Sequence, residues 1–373
     1  ALSEITQMLE RFPNSVTLYS IAGASNAGLM KLDAAVACYK EALKIKPDYA
    51  DAYYNLGVAL QDKGDSEGAI ESYKQALKIN PDYAEAYHGM GVALKDKGDS
   101  EGAIESYKQA IKINPDYADA YYNMGNALKN KGDSEAAIES YKQVVKITPY
   151  HAEAYSNMGV ALKEKGDLEA AIDSYIQSLK INPDYAEAYS NMGVALKEKG
   201  DLDSAIDIYK QALKIKPDYA EVYYNMGAAL KAKGDLEAAI DNYKHALKIK
   251  PDYADACNNM GVALQDKGDL EVAIESYKQA LKINPDLDGV WSNLQFSLQA
   301  MKLQIPDVEE LLSTLNLQVD SKYFQIAKAL LSYQLHLGEA NTESSLNQVL
   351  SLLSTADNIR IRNPEVINSD SHQ

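Results

Sequence analysis

Ala52–Pro81 reads AYYNLGVALQDKGDSEGAIESYKQALKINP, and Ala86–Pro115 reads AYHGMGVALKDKGDSEGAIESYKQAIKINP. The same pattern runs on in both directions. Pro47, Pro81, Pro115, Pro149, Pro183, Pro217, Pro251 and Pro285 recur with a period of 34 residues and no slip. A fixed period in this range marks an array of one supersecondary unit, in which each copy buries its apolar face against its neighbours. The functional question therefore moves from an active site to a surface.

Slots within a unit are numbered so that Ala50 is slot 1, Gly64 slot 15 and Pro81 slot 32. Units start at Val16, Ala50, Ala84, Ala118, Ala152, Ala186, Ala220 and Ala254. Each is expected to hold two helices joined by a Gly-Asp turn. For the first, Asp82 is expected as N-cap with Glu85 in capping-box position, and Gly98 as the stop. Asp99 is expected to cap the second helix, and Pro115 ends it. At ~100° per residue, slots 4, 7, 8 and 11 share one face. Glycine at slot 8 (Gly57, Gly91, Gly125 and their equivalents) costs about 1 kcal/mol relative to Ala inside a helix. Its recurrence implies close helix–helix approach, helped by small Ala at slot 20 and filled by Tyr at slot 24.

This alternation of aromatic, Leu-Gly, Ala, aromatic, Ala and Pro at 34-residue spacing resembles the tetratricopeptide repeat family over residues 1 to about 300. The resemblance implies an all-α, right-handed superhelical solenoid of helix-turn-helix units with a C-terminal helical cap. It also implies a concave wall made of the first helices. Residues 1–13 match slots 20–32 and are expected to be the second helix of a truncated repeat, so that the chain is a fragment of something longer. Residues 14–287 are expected to be tandem units. A partial ninth unit and capping helices are expected over 288–357, where Val308, Leu311, Leu312 and Leu315 keep helical spacing, and a polar tail or linker over 358–373. Three departures from the pattern stand out: Cys257 at slot 4, and Val144 and Ser178 at slot 27. Thr148-Pro149-Tyr150-His151 also replaces Asn-Pro-Asp-Tyr, and this joint is expected to be the weakest helix start.

Composition narrows the partners. The chain carries 54 acids against 37 Lys and Arg, a net charge of -17, which disfavours nucleic acid and anionic membrane surfaces. RNA binding, by analogy with pentatricopeptide arrays, is a distant third reading. Two cysteines six repeats apart offer neither a disulfide framework nor a thiolate metal cluster, which favours an intracellular, cytoplasmic setting. The histidines never pair at ligand spacing, and Gly89-Met90-Gly91 sits mid-helix with no strand before it. No catalytic residue, metal or cofactor is expected.

Slots 2, 6, 9 and 13 lie on the strip opposite the core. Slot 6 holds Asn55, Asn123, Asn157, Asn191, Asn225, Asn259 and Asn293, interrupted by Gly89. A carboxamide both donates and accepts, so such a column can pair with an extended peptide backbone whatever its side chains. The column is similar to the asparagine ladder in the repeat arm of O-linked N-acetylglucosamine transferases, where it grips substrate polypeptide. Duplication of a harmless solvated Asn explains the column equally simply. Slot 2 is acidic at Asp51, Glu85, Asp119, Glu153, Glu187, Glu221 and Asp255. These acids favour basic segments of a partner or stabilise helix starts, and both roles are compatible. Slot 5 varies through Tyr54, His88, Tyr122, Ser156, Ser190, Tyr224 and Asn258, which makes it the candidate for local selectivity. The acids at slot 2 and the lack of cations at slots 5 and 6 also argue against binding carboxylate tails of heat-shock chaperones. The expected function is a protein interaction scaffold that holds an extended or disordered segment in its groove. The alternative is the substrate-recruiting arm of a larger transferase.

Overall fold

The computed structural model describes residues 2–300 of the chain, and all regular elements among them are α-helices. A single helix, α1 (Leu2–Arg11), precedes the hairpins. The first three hairpins are α2 and α3 (Val16–Gly28, Leu32–Ile45), α4 and α5 (Ala50–Asp62, Ser66–Ile79), and α6 and α7 (Ala84–Asp96, Ser100–Ile113). Next come α8 and α9 (Ala118–Asn130, Ser134–Ile147), α10 and α11 (Ala152–Glu164, Leu168–Ile181), and α12 and α13 (Ala186–Lys199, Leu202–Ile215). The series closes with α14 and α15 (Ala220–Lys233, Leu236–Ile249), α16 and α17 (Ala254–Lys267, Leu270–Ile283), and α18 (Val290–Ala300). The expected capping helices beyond residue 300 and the polar tail lie outside the described residues.

The turn within each hairpin follows from its Gly-Asp pair. Gly64 takes φ +86°, a left-handed conformation in which a Cβ would be strained. That lets Gly64 N–H bond to Gln61 O at 2.9 Å and Asp65 N–H to Leu60 O at 2.8 Å, the paired closure of a Schellman ending. Asp65 then starts α5 by accepting the N–H of Gly68 at 2.9 Å. Asp99, Asp133, Asp167, Asp201 and Asp235 cap their helices in the same way.

The first helices start differently from the expectation. In α4, α6, α8, α14 and α16 the N-cap is the Tyr before Ala, as at Tyr83, and it makes no side-chain capping bond, whereas α2 is capped by Ser15. Asp82 lies one residue too early, where its own N–H donates to Asn80 Oδ1 at 3.2 Å across the proline turn. The acid at slot 2 thus sits in the first turn, where it stabilises the N–H end of the helix dipole. The expectation for the joint at Thr148–His151 is also corrected. His151 Nδ1 accepts Ala154 N–H at 3.3 Å, a side-chain cap that the Tyr-started helices lack. A ring nitrogen can reach back where a phenol on a longer stem cannot.

Two compact bodies divide the chain at Ala1–Ala195 and Leu196–Gln373. In the first, Tyr73, Tyr107, Tyr141 and Tyr175 are fully enclosed, each against the slot-8 glycine of its own hairpin. A Cβ on Gly57 would lie 2.7 Å from Tyr73 Cε1, closer than side chains pack. Ala69, Ala103, Ala137 and Ala171 at slot 20 have no exposed surface, as close helix approach requires. Val144 at slot 27 is buried, and Ser178 in the same position is tolerated because its hydroxyl donates to Ala152 O at 2.8 Å. In the second body Tyr209, Tyr243 and Tyr277 are likewise enclosed, the last two against Gly227 and Gly261. There Cys257 replaces the slot-4 aromatic and joins the core, where burial pushes its thiol up to about 11. Such a thiol is a small apolar filler, not a nucleophile.

Candidate functional site

The slot-2 acids Asp51, Glu85, Asp119, Glu153, Glu187, Glu221 and Asp255 are all exposed. Asp51 accepts the hydroxyl of Tyr83 at 3.1 Å, and Glu221 lies 3.9 Å from Lys250. A second exposed acid row was missed in the sequence. It occupies slot 13, as Asp62, Asp96 and Glu164 in the first body and Glu198 and Asp266 in the second. At 1.5 Å per residue, the eleven-residue offset puts the two rows about 16 Å apart along a helix. Between them lie Asn55, Asn123, Asn157 and Asn191 of the first body and Asn225 and Asn259 of the second, all partly buried.

Several of these asparagines are held by the repeat before them. In the first body, Asn157 Nδ2 donates to Tyr122 OH at 3.1 Å and to Asn126 Oδ1 at 3.0 Å. Asn126 Oδ1 also accepts the hydroxyl of buried Tyr141 at 2.8 Å. Asn123 Nδ2 lies 2.9 Å from His88 Nε2. In the second body, Asn259 Nδ2 donates to Tyr224 OH at 2.9 Å, and Asn293 Nδ2 to Asn258 Oδ1 at 3.2 Å. In each case slot 5 of one repeat meets slot 6 of the next.

The slot-5 rings are themselves fixed. Tyr122 stands 6.2 Å from the Tyr141 ring and 4.8 Å from that of His151. His88 stands 5.8 Å from Tyr107 and 5.0 Å from Tyr117, and Tyr224 is held likewise by Tyr243 and Tyr253. Burial holds the His88 imidazole below its ordinary range, against the opposite pull of Asp119 and Glu85. A neutral imidazole with its proton on Nδ1 leaves Nε2 to accept from Asn123. At His88, Tyr122, Tyr224 and Asn258, slot 5 also supports the carboxamide of the next repeat.

Two positions break the pattern. Gly89 stands where the column expects Asn, and a Cβ there would lie 2.7 Å from Cζ of Tyr73. Ser156 occupies slot 5 before Asn191, and its hydroxyl bonds to Tyr185 instead. Asn126 went unnoticed in the sequence although the signal was there: slot 9 is Val or Ala in the other full units from Ala50 onward. Among the described residues no group of His, Cys, Asp and Glu is placed to hold a metal ion, and no helix is long and apolar enough to cross a membrane.

Comparison with known proteins gives a consistent picture. The family model described as TPR repeat matches residues 31–64, 60–98, 93–132, 125–166, 161–200, 195–234 and 227–268, and that described as tetratricopeptide repeat matches 254–287. No curated protein matches the chain. Among solved structures, the MamA protein is 31% identical, with 46% of this chain and 94% of MamA covered at a TM-score of 0.43. YrrB, described as a TPR protein with an unusual peptide-binding site, is 24% identical, with 52% and 97% covered at 0.46. A chain of the APC/C hetero-tetramer Cut9-Hcn1 is 18% identical and shares the fold, with 72% of this chain and 52% of that chain covered at 0.51.

Proposed function

We propose that this chain, which belongs to the tetratricopeptide repeat family, is a non-catalytic scaffold that binds an extended polypeptide segment along its first-helix strip. Proteins of this family generally mediate protein–protein interactions, and the finer reading rests on the strip itself. The observation that carries it is the support behind the asparagines. A solvated, incidental Asn needs no partner, yet Asn123, Asn157 and Asn259 are each tied to an aromatic ring of the preceding repeat. Side chains fixed in this way lose little entropy when a ligand arrives. The flanking acid rows favour partners with Lys or Arg, and many weak contacts summed over repeats suit a disordered segment.

The test is a titration of the full chain against a panel of short unstructured peptides, basic and acidic. Basic members should bind, and Asn157→Ala, Asn191→Ala and Asn225→Ala combined should weaken that binding with helicity and melting nearly unchanged. Equal affinity of the triple variant and the parent chain would sink the reading.

A further inference from the structure

We propose that the preceding repeat turns Asn157 so that it presents its carbonyl oxygen to a ligand, and that this rung therefore selects an extended stretch offering a backbone N–H group there rather than proline. The proposal rests on the polypeptide-binding reading above and specifies which backbone atoms are read.

A carboxamide has two N–H donors and one carbonyl acceptor. At Asn157 both donors are already engaged, one by Tyr122 OH and one by Asn126 Oδ1. Asn126 cannot turn its own N–H toward Asn157 without giving up the 2.8 Å bond in which it accepts the Tyr141 proton, and Tyr141 has no exposed surface from which to seek water. The polarity is therefore propagated outward from a buried hydroxyl, and Oδ1 is the atom that Asn157 has left for a ligand. At Asn123 the His88 ring, with its proton on Nδ1, takes one of the two Nδ2 donors and leaves the other available. The Asn157 rung thus offers carbonyl oxygen, which a peptide N–H satisfies and a peptide C=O does not. Proline, lacking the N–H, leaves a rung unpaired.

The arrangement makes Tyr122 and His88 positioning residues. Neither needs to touch the ligand, and each acts from the repeat before the one whose asparagine it turns. The chain contains its own contrast: the slot-5 residue before Asn191 is Ser156, not an aromatic, and its hydroxyl is bonded to Tyr185. In the second body Tyr224 supplies the same phenol acceptor to Asn259, without a counterpart of Asn126.

The experiment has two arms on the full-length chain. The first needs no ligand. With asparagine side chains labelled with ¹⁵N, Tyr122→Phe should speed solvent exchange of the Asn157 amide protons. Tyr122→His, which copies the residue in the preceding repeat, should preserve the protection. Equal exchange in the parent and both variants would overturn the orientation. The second arm uses a fluorescein-labelled Ser-Lys-Gly repeat peptide and the same peptide N-methylated along its backbone. The parent chain should bind the methylated peptide about 10-fold more weakly or worse. Tyr122→Phe should weaken binding of the unmethylated peptide by about 2- to 10-fold, with Tyr122→His near the parent value and melting unchanged in both. Equal binding of the two peptides would mean that the rung reads C=O, and would overturn the proposal. Asn157→Ala separates the two levels. If it weakens binding while Tyr122→Phe does not, only the positioning fails; if it changes nothing, the polypeptide-binding reading fails with it.

Discussion

The hydroxyl of Tyr73 donates to Gln61 Oε1 at 3.0 Å, and that of Tyr277 to Gln265 Oε1 at 3.1 Å. One repeat after Tyr73, Lys95 holds the glutamine's position, and the Tyr107 hydroxyl is enclosed without a hydrogen-bond partner. Burial raises its pKa, since an isolated phenolate there would be worse still. Lys95→Gln should supply the missing acceptor and stabilise the chain by about 0.5–1.5 kcal/mol. Urea unfolding would check it, and an unchanged or lower midpoint would count against the assignment. Adding Tyr107→Phe should remove the gain.

Gly125 and Tyr141 make the opposite kind of prediction. A Cβ on Gly125 would stand 2.7 Å from Tyr141 Cε1, and that ring is enclosed and also bonded through its hydroxyl. Gly125→Ala gains about 1 kcal/mol of helix propensity but meets an overpacking cost of about 1–3 kcal/mol. The overpacking should win, because the ring cannot swing aside without breaking its bond to Asn126. Thermal melting should therefore fall.

Acid should act through His88. Its folded pKa is lowered, with burial as the main cause, while in the unfolded chain it titrates near 6.5. Above that pH the imidazole is neutral in both states and contributes no slope. As pH falls below about 6.5 the unfolded state takes up the proton first, so stability declines until the folded value is passed. Asp119 and Glu85 oppose the shift without cancelling it. His88→Tyr, which places at slot 5 the phenol found at Tyr122, should lose less stability than the parent between about pH 7.5 and about pH 5. Parallel curves for the two proteins would contradict the assignment.

The cap at His151 is open to a simple substitution. Replacing it by Ala removes the Nδ1 acceptor for Ala154 N–H and should cost about 0.5–2 kcal/mol. His151→Tyr, which restores the residue found at this slot elsewhere, should lose the cap as well, since Tyr83 and Tyr117 make no such bond. Chemical denaturation of the two variants side by side would show it.

The 34-residue period made the hairpins legible, and with them the Gly98 turn, the Asp99 cap and the small-against-large contact of Gly91 with Tyr107. Each of these is a local contact or one within a single hairpin, so slot and chemistry suffice to read it. The start of the first helix was misread by one residue because Asp82 and Tyr83 both precede Ala84, and only backbone geometry decides which is the N-cap. The link from Tyr122 to Asn157 was not legible for another reason. It spans 35 residues, one more than the period, and aligning units on the period sets the two residues in different columns. Asn126 was visible as a polar residue in an apolar column, but its meaning depends on Tyr141 beneath it.

Because each oriented asparagine and its support belong to different repeats, sequence order carries information that the set of repeats does not. Exchanging two near-identical units would keep length, charge and core intact while giving an asparagine a new neighbour upstream. An asparagine moved from behind Tyr122 to behind Ser156 would lose its phenol without any residue being mutated. The joints between repeats thus set how each asparagine is held, and duplication or shuffling of units can rewrite the strip while leaving every unit unaltered.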